Sequence, residues 1–404
     1  MTLGSFARRA SRATSRLVHR LPLRTPLFAG ATLGLEERAL AEEALSDRAS
    51  WGLDEPVRRF EEKFGRWVGA SHAYSFLGGR AALSAAIKAL GLRPGDEVIV
   101  PAFTCVVVPN AFTYLGIKVR FVDVECQTFG LDAGSFAKSL GPKTKAVLIH
   151  HLFGLVARDY HACVEQARRK GIAVIEDCAQ ASGARMGKQV GLLADVAIHS
   201  LEKTKVITTV FGGIATTNDP VIGARLATHQ LAAPWPDQGT TRSILSSVGP
   251  LVEASRSWIT AREQPTPWVS TPEGEIEGTP PPYYGSRLPS PLAELGILQL
   301  RKAESFNERR RLRARRWDRL AEEIHLPKAH VVKGSTPVFL RYPTMVTPAM
   351  KTNTAWAARY GVRLGVWFLG TRHPVPGAAP GFPGAADAVA RCVNFPTLWR
   401  GERP

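Results

Sequence analysis

From about residue 53 onward, short apolar runs alternate with segments of helical spacing, and this alternation narrows the possible folds more than any other feature of the chain. Glu55–Val68 places Val57, Phe60, Phe64 and Val68 on one helical face. Gly78-Gly79-Arg80 opens an Ala/Leu-rich helix that Gly91 closes. Pro94-Gly95-Asp96 reads as a turn, and Glu97–Val100 as a buried strand. Val119–Val122, Ala146–His150, Val174–Ile175 and Ala197–Ile198 are further short apolar runs, with helical stretches such as Tyr160–Lys170 between several of them. Alternation at this spacing predicts an α/β fold with a mostly parallel sheet and helices on both faces.

The pattern weakens around Leu231–Pro282, where Pro, Ser, Thr, Gly and Trp rise; this stretch reads as a long irregular connection. A strong helix is predicted from about Pro291 to Glu323. After it, short runs at Val338–Tyr342, Val362–Val366 and Arg391–Phe395 surround a helix-like Asn353–Tyr360. The expected organisation is a basic N-terminal extension over 1–30, a large domain over 31–245, and a smaller C-terminal α/β domain over 246–404 that includes the irregular 231–282 connection.

The 404 residues carry a formal net charge of +17, a value that raises nucleic acid, an anionic membrane or an acidic small molecule as partners. The excess is local. Residues 1–35 hold six Arg and no acid, and residues 301–320 hold nine Lys/Arg against three acids. The first segment steps Phe6, Ala10, Ala13, Leu17 and Leu21 along one line, so residues 5–21 read as a basic amphipathic helix at a membrane surface, a transit-like leader or a frayed extension. The second, with Phe306, Leu312, Trp317 and Leu320 among its charges, reads as one solvated amphipathic helix. No helix-turn-helix, RNP or zinc-finger pattern is present, and no nucleic-acid partner is expected. Five Cys without a CxxC pair argue against a disulfide scaffold and a zinc ribbon; no metal site is expected and a reducing cytoplasm is the simple reading.

The chemistry concentrates in two stretches. In IAVIEDCAQA an apolar strand delivers Glu176 and Asp177 at its C-terminal end, where open α/β sheets place their sites, and Gln180 follows three residues on. In HSLEKTKVITTVFGG, Lys205 precedes a Thr-rich, Gly-Gly turn; partial burial would make its amine nucleophilic. An Asp able to pair a pyridinium nitrogen, a Lys able to form a Schiff base, and the Gly78-Gly79-Arg80 turn at a helix start are the parts a pyridoxal phosphate site needs.

With these residues in place, the chain resembles the DegT/DnrJ/EryC1/StrS group of fold-type I, pyridoxal-phosphate-dependent sugar aminotransferases, from about Pro22 to Phe395. PVRRFEEKFGRWVGA, GGRAALSAAIKALGLRPGDEVIVPAFT, VRFVDVE, KAVLIHHLFG, IEDCAQASGARMGKQVG and SRLPSPLAELGILQL carry the resemblance in matching order. It implies that Lys205 is the Schiff-base lysine, Ser200 contacts the cofactor phosphate, Asp177 pairs the pyridine nitrogen, and Gln180 contacts the ring hydroxyl side. Gly79, Arg80 and Ala81 correspond to the phosphate turn, and His151 and Gly154 to a strand-end motif near the cofactor. Homodimers with shared sites are implied, with Gly285–Leu288 approaching the partner's cofactor.

Four positions depart from the family pattern. Arg80 replaces a small hydroxyl residue. Cys105 replaces the aromatic that stacks on the ring, with Phe103 the nearest substitute although it is predicted to point to the opposite face of its strand. Phe211 replaces a Glu, and Gly285 an Asn that a partner gives to the phosphate. Arg80 is expected to take over the phosphate charge that the missing Asn leaves. The implied reaction is transamination from an amino acid, glutamate by analogy, to a keto group on a nucleotide-linked sugar. Three other readings stay open: a non-sugar ketone or aldehyde acceptor, a non-catalytic cofactor-bound regulatory protein, and dehydration, which relatives carry out with His in place of the lysine and which Lys205 argues against.

Overall fold

The computed structural model describes residues 29–256 and 266–399; the predicted basic helix over 5–21 lies outside the described residues. The apolar runs become a seven-stranded sheet: β1 (His72–Phe76), β2 (Glu97–Pro101), β3 (Lys118–Val122), β4 (Thr144–His150), β5 (Ala173–Asp177), β6 (Val196–Ser200) and β7 (Gly213–Thr217). Their spatial order is β1-β7-β6-β5-β4-β2-β3. The pairs among β2 to β6 are parallel, and β7 runs antiparallel to both β6 and β1.

Both faces of the sheet are covered, and period-2 alternation sorts the strand residues between them. Ile99, Val147, Ile149, Val174, Ala197 and Ile214 join one core. Val98, Val100, Leu148, Ile175, Ile198 and Ala215 join the other, with Ala82, Leu83, Ala86 and Ile87. Three helices in order are α1 (Leu35–Ser46), α2 (Asp54–Val68) and α3 (Gly79–Ala89). α2 buries Val57, Phe60, Phe64 and Val68, the face its sequence predicts, and ends on Gly69 in the left-handed conformation (φ 83°).

The stretch read as an irregular connection is helical in its first half, over 238–256, while 266–282 holds only the short helix Glu273–Ile276. After α4 (Pro220–Ala232) come α5 (Gln238–Ser246) and α6 (Val248–Arg256). The Asp237 side chain caps α5 by accepting from the Thr240 N–H at 2.8 Å, and Ile244, Leu245, Val248, Leu251 and Val252 enter the same core as Ala41 and Ala44 of α1. These apolar positions were masked in the sequence by the surrounding Pro, Ser and Thr.

The predicted long helix is α7 (Ser290–Glu323), but it is not simply solvated. Ala303, Phe306, Asn307, Arg310, Ala314, Trp317 and Ala321 form its buried seam, while Leu312 is 63% exposed. Counting Leu312 as apolar and Arg310 as solvated misplaced that seam. After α7, strand Tyr342–Met345 pairs antiparallel with Cys392–Phe395, and Val362–Val366 forms no strand, only isolated bridges at Val362 and at Gly365, the latter to Asn394. Among the described residues no helix is long and apolar enough to cross a membrane.

Candidate active site

Asp177, Ser200 and His150 end β5, β6 and β4, and their parity with Ile175, Ile198 and Leu148 places all three on the face covered by α3. They line one cavity of about 290 Å³, close to the lower end of ordinary ligand sites. Gly79, Arg80, Gln180 and Lys205 line it too, so residues far apart in sequence converge at the C-terminal edge of the parallel strands.

The Asp177 carboxyl accepts from the Ala179 N–H at 2.9 Å. Burial pushes this carboxyl up from the ordinary range, against the pull of that hydrogen bond, Lys205 and His151. A cation placed beside it inside the cavity would favour its ionised form. Gln180 accepts the Phe153 N–H at 2.8 Å through its amide oxygen, so its amino group is the donor it offers to the cavity.

Glu176, one residue before Asp177, faces the opposite side and positions His151. Its carboxylate accepts from His151 Nε2 at 2.8 Å, from the Tyr160 hydroxyl at 2.7 Å and from the Gly191 N–H at 2.5 Å. The Ala157 N–H donates to His151 Nδ1 at 3.0 Å, so the proton resides on Nε2 and points at Glu176. His151 therefore enters the cavity wall as a fixed ring.

Lys205 sits on a folded-back loop between β6 and β7. Leu201 N–H bonds Gly212 O at 2.8 Å, Lys203 N–H bonds Val210 O at 2.9 Å, and Lys205 N–H bonds Glu202 O at 2.9 Å. From below, Arg310 of α7 donates to Val206 O at 2.9 Å and to Asn307 Oδ1 at 2.8 Å. Burial lowers the Arg310 guanidinium to about 9. This support has no local signature, because Arg310 sits within a run of surface-like arginines.

At the start of α3, a Cβ on Gly79 would meet Ser200 Cβ at 3.1 Å and Oγ at 3.3 Å, so only glycine leaves this corner open. The first amides of a helix lack intrahelical partners. Ala81 does not take part as expected: its N–H bonds Gly78 O at 3.1 Å and its side chain is in the core. Arg80 lines the cavity and is 8% exposed, yet its guanidinium is already engaged. It forms a buried ion pair with Glu275 and donates to Thr271 Oγ1 at 3.3 Å. Its guanidinium also lies 5.4 Å from the Phe211 ring centroid. The expected free cation for a phosphate is thus neutralised within the chain.

Phe103 is not brought to the cavity wall. It is fully buried among Phe129, Phe153 and Phe368, as strand parity requires, while Cys105 lines the cavity. Trp367, Phe368 and His373 also line it; they come from a C-terminal loop with no recognisable motif. Gly285–Leu288 runs beside its own chain, with Leu77 N–H donating to Ser286 O at 2.8 Å. No group of His, Cys, Asp and Glu suited to a metal occurs among the described residues.

A model of the DegT/DnrJ/EryC1/StrS aminotransferase family matches residues 33–400. The chain is 42% identical over 171 residues to GDP-perosamine synthase of Caulobacter vibrioides, covering 42% of this chain and 46% of the relative. It is 38% identical over 178 residues to L-glutamine:2-deoxy-scyllo-inosose aminotransferase of Streptomyces kanamyceticus, covering 43% and 41%. These alignments span less than half the length of either relative. The crystal structure of DesV from S. venezuelae superposes with a TM-score of 0.69 at 25% identity over 92% of each chain. That of the aminotransferase TlmJ from Streptoalloteichus hindustanus superposes at 0.68 and 23% identity, over 95% of this chain and 94% of that one. Both share the mostly parallel α/β fold of pyridoxal phosphate transferases.

Proposed function

Because the chain belongs to the DegT/DnrJ/EryC1/StrS aminotransferase family, we propose that it is a pyridoxal-phosphate-dependent aminotransferase, moving an amino group from an amino acid such as glutamate to a keto group on a nucleotide-linked sugar. The observation that carries this reading is the convergence of Gly79, Asp177, Ser200 and Lys205 on one cavity. The residues fit the cofactor. The corner between Gly79 and Ser200 accepts no side chain, which suits a phosphate beside the α3 N-terminus. Asp177 is a buried carboxyl that gains from a protonated ring nitrogen nearby.

When bound, the cofactor supplies an electron sink for the substrate carbon. Lys205 would attach it through its amine, and the same amine, when free, would be placed to hold and return a proton at the substrate carbon. Asp177 keeps the ring nitrogen protonated. Ser200 and the first amides of α3 hold the phosphate, with Arg80 contributing its backbone while its side chain stays on Glu275. Gln180 donates to the ring's oxygen side. Lys205, rather than histidine, at this position favours amino transfer over dehydration.

A nucleotide-sugar acceptor is supported by the name of the perosamine relative. The inosose relative, named for a cyclitol ketone, favours a second reading with a non-nucleotide ring ketone. A homodimer in the cytoplasm, without nucleic acid, completes the proposal. In the test, purified protein loaded with pyridoxal phosphate is mixed with glutamate, and loss of the ~420 nm band is followed; keto-sugar nucleotides and cyclitol ketones then compete to restore it. A loaded protein that no amino donor bleaches is a cofactor-bound regulator, and the aminotransferase reading fails.

A further inference from the structure

Cys105 leaves the cavity without a flat wall on its own strand, and a neighbouring segment fills the gap. The two-residue strand Arg372–His373 pairs in parallel with Thr104–Cys105, with His373 directly opposite Cys105. Residues opposite one another on adjacent strands project to the same face, so both side chains compete for one place in the wall. Both line the cavity with Lys205 and Asp177.

The His373 ring is held at this place by two aromatic rings of the same wall. Trp367 lies 5.3 Å away at 32° and Phe368 lies 5.2 Å away at 51°. Phe368 in turn leans on Phe103 at 4.7 Å, and the Arg341 guanidinium lies 3.9 Å from the Trp367 centroid. The loop is fixed through its backbone: Thr104 N–H bonds Thr371 O at 3.0 Å, and Val106 N–H bonds His373 O at 2.8 Å. Phe103 therefore lies directly behind Phe368 and outside the cavity wall.

We propose that His373, clamped by Trp367 and Phe368, is the planar residue that lies against the cofactor ring in this chain, in the place a larger side chain at Cys105 would take. The inference rests on the pyridoxal phosphate reading of the same cavity. Burial, with the neighbouring Lys205 and Arg341, lowers the imidazole to about 4, so it is neutral at pH 7 and presents its π face to a protonated pyridine ring without charge repulsion. A neutral stacking ring contributes modestly and sets ring orientation rather than chemistry.

Pyridoxal phosphate titrations of the full-length wild type, His373→Ala, His373→Phe, Cys105→Phe and the double variant Cys105→Phe/His373→Ala test this, reading the dissociation constant and the visible circular dichroism. His373→Ala is expected to weaken binding about three- to tenfold and to reduce the dichroism. His373→Phe keeps both, and Cys105→Phe restores both on the His373→Ala background but weakens binding in the wild type, where the space is taken. Unchanged affinity and dichroism in His373→Ala, with cofactor still bound, overturns the inference and leaves the proposed function intact. A wild type that takes up no cofactor overturns the proposed function itself.

Discussion

Arg80 and Glu275, 195 positions apart, form an ion pair whose carboxylate side chain is completely buried. Glu275 lies in a stretch with few sequence signals, yet its segment is laid across the cavity at several points. Ser270 Oγ donates to Glu202 at 2.9 Å, Lys203 Nζ to Thr266 Oγ1 at 3.1 Å, and Asn110 Nδ2 to Glu275 O at 2.6 Å. Removing one member of such a pair strands a buried charge. Glu275→Ala is therefore expected to cost about 3–5 kcal/mol in urea unfolding. Arg80→Met/Glu275→Leu should recover most of that, since an apolar replacement removes both desolvation penalties. A double variant no more stable than Glu275→Ala would contradict this.

Gly79→Ala should fold but bind pyridoxal phosphate at least tenfold more weakly, because the new Cβ meets Ser200 at 3.1 Å in the phosphate corner. Equal affinity in wild type and Gly79→Ala would place the phosphate elsewhere.

Asp177→Asn should retain the cofactor but slow the half-reaction with an amino donor by about 10²–10⁴, the usual weight of a positioned proton partner. Stopped-flow loss of the cofactor band measures it. Wild-type rates would remove Asp177 from the chemistry.

Outside the cavity, burial raises Glu61 to about 7, even though it accepts from Ser75 N–H at 2.7 Å and Ser75 Oγ at 2.6 Å. The folded chain keeps this proton while the unfolded chain releases it above about 4.5. The group's contribution to stability is therefore present at low pH, is lost as pH rises from about 4.5 to 7, and is level beyond that. The loss is on the order of 3 kcal/mol. Glu61→Gln should flatten this part of the stability profile; an unchanged slope between pH 5 and 8 would refute the assignment.

Much of this was legible beforehand, for identifiable reasons. β-strand periodicity is local, so the sheet and the parity that separates Glu176 from Asp177 follow from the residues themselves. Asp177, Ser200 and Lys205 stand on strand ends and a short loop, and the fold could hardly place them elsewhere. The same parity put Phe103 out of reach of the cavity. What the sequence hid depends on long-range pairing. His373 reaches the site only because its strand joins Thr104–Cys105. Arg80 looked like a phosphate ligand until Glu275 arrived from a segment without periodicity. Arg310 looked solvated because charge, in a run of arginines, conceals which one faces inward.

The central claim is that Lys205 carries the cofactor. Borohydride reduction of the pyridoxal-phosphate-loaded protein, followed by peptide mass spectrometry, measures this directly. The account predicts the reduced cofactor on Lys205, and its loss in Lys205→Ala; a label on another lysine such as Lys203, or no label despite bound cofactor, would contradict it.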